Sequence, residues 1–224
     1  MVYITGDFHG DLTRFKDKKI KKLKKNDYLI ICGDFGFIWS NSKMEERMLK
    51  WIGKRKFTTL FIEGTHDNID KINSYSVCEF LGGKAHNIYG NLYHLMRGEI
   101  YNIEGKKYLT FGGGESKDAD CRIEGESWWC GEIPSEADIN YTLSNLEKNN
   151  NSVDYIITHQ APSKIEFTLN GDSLPDNCVG AFLDTILATA KFKRWYFGSY
   201  HIDRFIPKSY LSLYNRVFSE KETI

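Results

Sequence analysis

Six side chains able to do acid–base or metal chemistry stand immediately after apolar runs of strand length. Asp7 and His9 follow Val2-Tyr3-Ile4-Thr5. Asp34 follows Tyr28-Leu29-Ile30-Ile31-Cys32-Gly33. His66 follows Thr58 to Glu63, His159 follows Tyr155-Ile156-Ile157-Thr158, and His201 follows Arg194-Trp195-Tyr196-Phe197. Four of the six histidines share this position, while His86 and His94 do not and read as ordinary surface or strand histidines. Carboxylates and imidazoles brought to one sheet edge suit a hard-to-borderline divalent ion such as Mn, Fe, Zn, Ni or Mg. The lack of nearby cysteine argues against a thiolate zinc site. Residues two apart in an extended segment point the same way, so Asp7 and His9 are expected to grip one ion. The same count back from His201 reaches Ser199, a much poorer ligand. Taken alone, Asp34 reads better as a turn opener or helix cap. Repetition at five strand exits favours a site, because core packing gives no reason for it.

These side chains need a sheet to hold them. Tyr28–Cys32 is continuously apolar, as in a strand buried on both faces of a parallel sheet, and ligands of open α/β sheets sit at such strand exits. Gly33 and Gly36 let the chain bend tightly around Asp34. Between the first three strands, Asp11 to Lys25 predicts an amphipathic helix re-phased near Lys18. Met44 to Lys54 predicts a second, with Met44, Met48, Trp51 and Ile52 as core. Three strands joined by helices in seventy residues indicate βαβαβ. Asn91 to Phe111 reads as shorter strands with a turn at Glu104-Gly105. Ser135 with Asp138 predicts an N-cap opening a helix to about Glu147. Lys164 to Cys178 reads as a loop and Val179 to Ala190 as a helix. Ile206 and Tyr210 to Phe218 read as closing strands, and Ser219 to Ile224 as a loose tail.

The chain has 224 residues and no linker-like tract, so a single domain over 1–224 is expected. Thirty basic and thirty acidic residues cancel, so charge gives no indication of nucleic acid. No apolar run is long enough to span a bilayer. The second residue already begins a strand leading to Asp7, which predicts no signal peptide. The five cysteines, odd in number and without CxxC pairing, predict free thiols in a reducing cytoplasm. Oligomeric state is left open.

The ordered set Asp7-Phe8-His9, Gly33-Asp34-Phe35-Gly36, Gly64-Thr65-His66-Asp67, His159 and Gly198-Ser199-Tyr200-His201 resembles the calcineurin-like metallophosphoesterases. That family's pattern is D-x-H, G-D, G-N-H-[DE], a lone H and G-H-x-H. The resemblance implies an α/β fold, an αββα sandwich of two mixed β-sheets flanked by helices. It also implies two metal ions about 3.5–4 Å apart, bridged by one carboxylate and a hydroxide. It assigns Asp7, His9 and His201 to the first metal, Asp34 to both, and His159 to the second. It places His66 beside the scissile phosphate, as charge stabiliser or proton donor, with Asp67 orienting it. Thr65 stands where the family has Asn, and Ser199 where it has His. Both substitutions fall on the second metal, leaving it Asp34 and His159. A further likeness over Gly112-Gly113-Gly114, Ser127-Trp128-Trp129 and Glu132 to Ser135 points to a small bacterial and phage-type branch.

Two functions follow. One is a metal-dependent hydrolase of phosphomono- or phosphodiesters, working with one or two divalent ions, Mn first among them, and impaired or reduced to a single metal by Thr65 and Ser199. The other is a non-catalytic protein that holds a nucleotide or other phosphate in the same place. In either, the partner is a phosphorylated small molecule or nucleotide. Arg122, Trp128 and Trp129 lie on a polar loop after a strand exit and are expected at the mouth of the site. There the rings can stack a base and the arginine can reach a phosphate. The alternative is that the tryptophans pin the loop to the body.

Overall fold

The computed structural model describes residues 1–171 and 177–222. Its centre is a pair of mixed sheets. In the first half of the chain, β1 (Val2–Thr5), β2 (Tyr28–Cys32) and β3 (Thr58–Ile62) lie side by side and parallel. They are followed by the hairpin-linked β4 (Val77–Phe80), β5 (Gly83–Tyr89) and β6 (Leu92–Leu95), with β6 parallel to β3. In the second half, β7 (Ile100–Ile103) pairs antiparallel with β8 (Lys106–Phe111). Strands β8, β9 (Tyr155–Thr158) and β10 (Arg194–Phe197) run parallel, and β11 (Arg204–Ile206) and β12 (Tyr210–Ser212) complete that sheet. The last strand, β13 (Phe218–Ser219), returns to the first sheet beside β1. The orders are β13-β1-β2-β3-β6-β5-β4 and β11-β12-β10-β9-β8-β7.

One apolar layer joins the sheets: Ile4, Ile30 and Ile62 of the first meet Tyr108, Ile157 and Tyr196 of the second. The other face of each sheet is covered by helices. Over the first lie α1 (Lys18–Lys21), α2 (Lys43–Gly53) and α3 (Ile69–Asn73), and over the second α4 (Glu136–Lys148), α5 (Ser163–Asn170) and α6 (Cys178–Thr189). This is the expected αββα sandwich. Strands that face a partner sheet on one side and helices on the other are apolar throughout, which is why β2 and β9 read as unbroken runs. Among the described residues no helix is long and apolar enough to cross a membrane.

Several local expectations change. The Asp11–Lys25 helix is two short pieces, a 3-10 turn over Leu12–Lys16 and the single turn α1. Asp17 breaks the run by accepting the amides of Lys19 and Ile20. In α2 the inward stripe is Glu45, Leu49 and Ile52, so Met44 and Trp51 are exposed rather than core. Glu45 tolerates burial because Lys71 pairs with it and Ser40 donates to it. Trp51 instead meets the edge of Phe15 and the Arg55 guanidinium, 4.3 Å from its ring. The loop expected from Lys164 holds α5, and residues 172–176 of that stretch lie outside the described residues. The tail is tied down as far as Glu222. Ser219 pairs with Tyr3, buried Glu220 accepts from Tyr108 and Lys106, and Glu222 pairs with Lys19. Residues 223–224 lie outside the described residues.

Candidate metal centre

Parallel pairing brings the exits of β1, β2 and β3 to one edge of the first sheet, and those of β9 and β10 to the same end of the second. The turns then interlock. Phe8 and His9 donate their amides to the Asp34 carbonyl at 3.0 and 2.8 Å, and Gly198 donates to the His159 carbonyl at 3.1 Å. One ligand atom from each of Asp7, His9, Asp34 and His201 falls within a sphere of contacts no wider than 4.8 Å. Asp7 and His9 do meet, but not as members of an extended segment. His9 has φ +46°, and the turn swings its ring back to 3.9 Å from Asp7. Asp34, Ser199 and His201 also have positive φ. Such backbone is costly for non-glycine residues and collects at functional sites.

The donors fit a divalent cation. The Nε2 atoms of His9 and His201 are 2.9 Å apart, and His201 Nε2 is 3.2 Å from Asp7. Two nitrogens each about 2.1 Å from one ion, at a right angle, would be about 3.0 Å apart. His159 is fully buried. Its Nδ1 donates to the Cys32 carbonyl at 3.0 Å, which leaves Nε2 buried with no hydrogen-bond partner among the described residues and with Asp34 Oδ1 3.5 Å away. A buried nitrogen without a partner is costly unless something binds it. Burial alone would raise the Asp34 carboxyl, but His159 and His66 hold it well below the usual carboxylate range. Burial alone would lower His159, but Asp34 and Asp7 outweigh it and hold the ring above its ordinary value. Gly64 is required by close approach: a Cβ there would run into Asp34 Oδ1. Gly33 has φ +93° and its missing Cβ leaves room for the His159 ring.

The second-metal positions are sparser. Thr65 turns its hydroxyl to His66 Nδ1 at 3.2 Å. Ser199 contributes its backbone amide, which donates to both Asp7 oxygens at 3.1 Å. His159 stands outside the four-residue cluster.

His66 lies beside Asp34, with its amide donating to Oδ1 at 2.7 Å and its ring Nδ1 at 3.1 Å from Oδ2. Asp67 does not orient that ring. Its buried carboxylate accepts the amides of Phe35, Gly36 and Gly64 and thereby pins the Asp34 turn. Burial and the nearby Asp34 charge push its carboxyl up. Arg122 does reach the site. It donates to His66 Nε2 and to the Thr65 carbonyl at 3.3 Å, and Asp118 grips it at 2.8 and 3.0 Å. A guanidinium only donates, so His66 Nε2 is an acceptor, and its proton sits on Nδ1 facing Asp34. Trp129 is not at the mouth: it is 7% exposed and packs edge-on against Trp39, 4.8 Å between ring centroids. Trp128 is half-buried and does not line the cleft.

That cleft, about 310 Å³, opens over Asp34, His66 and His201. Glu115, Lys117, Gln160, Glu166 and Tyr200 also line it. Only Gln160, directly after His159, carried a signal. His86 and His94 are buried rather than superficial. Their Nδ1 atoms are 3.0 Å apart, and His94 Nε2 meets Glu63 at 2.7 Å. Glu63 also holds Arg97, whose guanidinium binds the carbonyls of Gly131 and Glu132 and so anchors the loop that carries Arg122.

No curated protein matches the chain. A model of the calcineurin-like phosphoesterases matches residues 1–209. With the two mixed sheets and the Asp/His cluster at their common edge, this match means that the chain belongs to the calcineurin-like phosphoesterase family, whose members are metal-dependent phosphoester hydrolases.

Proposed function

We propose that this chain hydrolyses phosphomono- or phosphodiesters of small molecules or nucleotides, in the cytoplasm, with one tightly held divalent cation. Mn²⁺ is the first candidate, and Asp7, His9, Asp34 and His201 would hold it. The observation that carries the reading is the convergence of these four ligand atoms within 4.8 Å, beside a cleft that Asp34 and His201 line. A bound cation supplies positive charge against the charge developing on the phosphoryl group and makes water a better nucleophile.

The chain's own residues do the rest. In hydrolysis the water oxygen forms a new P–O bond, the ester P–O bond breaks, and the leaving oxygen takes up a proton in place of the one the water gives up. Arg122, fixed by Asp118, presents a permanent positive charge beside His66. It stabilises phosphoryl oxygens, as a preorganised donor should. His66 Nδ1–H donates to Asp34, so in this arrangement His66 orients that carboxylate and has no proton on Nε2 to give. Asp67 keeps the Asp34 turn from relaxing.

The poverty of the second site supports reduced turnover, and it also favours a second reading, a phosphate-binding protein without catalysis. Measuring bound metal per chain together with Mn²⁺-dependent hydrolysis of p-nitrophenyl phosphate and bis(p-nitrophenyl) phosphate separates them. One bound ion with turnover above the metal-free level is expected. Tight phosphate binding with no turnover would establish the second reading.

A further inference from the structure

His201 lacks the usual support of a ligating histidine. Its Nε2 faces His9 and Asp7, about half of its side chain is exposed, and its Nδ1 has no protein partner among the described residues. A metal-bound histidine is ordinarily held in plane through its other ring nitrogen. Here an aromatic face takes that part. The Tyr214 ring lies 4.7 Å from the His201 ring, centroid to centroid, with 29° between the planes. Tyr214 follows β12 and is itself held from behind. Asp203 accepts its amide at 2.7 Å, and Thr5 Oγ1 donates to its carbonyl at 3.3 Å. Arg14, on the 3-10 turn after β1, donates to the same carbonyl, and its guanidinium is 5.5 Å from the centre of the Tyr214 ring.

The same guanidinium reaches Asp7. Its Nη1 donates to the Asp7 carbonyl at 2.6 Å, its Nη2 to Thr5 Oγ1 at 3.1 Å, and it lies 4.8 Å from the centre of the Phe8 ring. Among the described residues all of its hydrogen bonds go to neutral oxygens, those of Asp7 and Tyr214 main chain and the Thr5 hydroxyl. The Asp7 carboxylate therefore stays available to a cation, while a rigid fork of donors ties the turn after β1 to the segment after β12. We propose that Arg14 is a positioning residue of the metal centre. It locks the Asp7 turn to Tyr214, whose ring sets the plane of His201, so that two ligands from opposite ends of the chain meet one cation. A lysine supplies the charge but not the planar fork that spans both segments. The inference rests on the reading of Asp7 and His201 as ligands of one ion.

The test uses Co²⁺, whose visible absorption reports the geometry of its ligands. Titration of the full chain gives affinity and absorption band together, and melting curves without metal report the fold. Arg14→Lys and Tyr214→Leu should each weaken Co²⁺ binding about 10–100-fold, the usual cost of a lost ligand support, and shift the band. The double variant should lose little more than the weaker single one, because both cut the same path. Tyr214→Phe keeps a ring against His201 and should recover the parent affinity and band. A role in folding alone would lower the melting temperature of Arg14→Lys and leave affinity and band as in the parent, which overturns the proposal. Single effects that multiply in the double variant also overturn it. If Arg14→Lys does not fold, the comparison of Tyr214→Leu with Tyr214→Phe decides, and equal affinity and band in those two overturn the proposal. A parent chain that takes up no Co²⁺ overturns both the metal reading and this one. Uptake by the parent with Arg14→Lys unmoved overturns this inference alone.

Discussion

His9 and His201, 192 residues apart in sequence, face each other through Nε2 atoms separated by 2.9 Å, with Asp7 and Asp34 behind them. Two ring nitrogens with their lone pairs converging in this way gain most from a shared cation. Calorimetric titration with Mn²⁺ should show about one strong site, since affinity follows the number and type of donors. His201→Ala should abolish it. Because a ligand bound only by the folded state raises stability, chelation should lower the melting temperature of the parent chain and leave His201→Ala unmoved. Two equally tight sites would contradict the ligand count.

Gly64→Ala should weaken metal binding without touching a ligand. Its new Cβ would collide with Asp34 Oδ1 and with the Asp34 amide, so the carboxylate has to move. Displaced supports of this kind cost about 10–100-fold in metal affinity. Calorimetry on the folded variant checks it, and unchanged affinity would show that the turn gives way elsewhere.

The Glu63–Arg97 pair should set stability in acid. Burial alone would raise Glu63, but Arg97 and His94 outweigh it and hold its carboxyl down to about 2, below an ordinary value of 4.5. A depressed carboxyl contributes stability that is fully present above the unfolded value. That contribution is lost as pH falls from about 4.5 towards 2. Arg97→Met should remove it, at about 3–5 kcal/mol, because an unpaired buried charge remains. Denaturant melts at pH 7 and pH 3 should show a gap between parent and variant that narrows in acid.

The two tryptophans should separate. Trp129→Ala should lower stability by about 3–5 kcal/mol, as for a large aromatic removed from a core. Trp129 packs in the layer under α2 and α3 and against Trp39. Trp128, half-buried, should cost much less. Thermal melts with phosphate-binding measurements on both variants decide whether either ring also serves the cleft.

Much of this was legible because the strands announce themselves. Val2–Thr5, Tyr28–Cys32 and Tyr155–Thr158 are short, apolar and end at glycine or a polar cluster, so both the sheet and its working edge could be read. The hidden parts are those whose sequence carries no period. Strands β4 and β5 include Glu79, Lys84, His86 and Asn87, so no apolar run marks them as strands. Helix α5 begins after a proline without a side-chain cap. Long-range pairing is invisible in one dimension. His86 and His94 looked incidental until Glu63 was seen beside them, and Asp67 looked like a partner for His66 until its three amide donors were. The cleft acids come from separate elements, Glu115 from the loop after β8 and Glu166 from α5, which no local spacing connects.

The substitutions at Thr65 and Ser199 give the sharpest test. If they are what weakens a second site, Thr65→Asn with Ser199→His should rebuild it beside Asp34 and His159. The backbone allows both. Ser199 sits at φ +69°, a region in which Asn, Asp and His are more common than other residues that carry a Cβ, so histidine is among the best-tolerated replacements. Thr65 spends its hydroxyl on His66, and an asparagine reaches one atom further. His159 Nε2, buried and without a partner among the described residues, is already in place to complete the shell. Ligands of one ion are coupled, so the double change should exceed the product of the single ones in second-metal affinity and in hydrolysis of bis(p-nitrophenyl) phosphate. A parent chain that already turns over as fast as the double variant would show that the second site was never lost. A double variant that binds two ions and stays inert would move the reading to phosphate binding, because the cleft itself would then have changed beyond its metals.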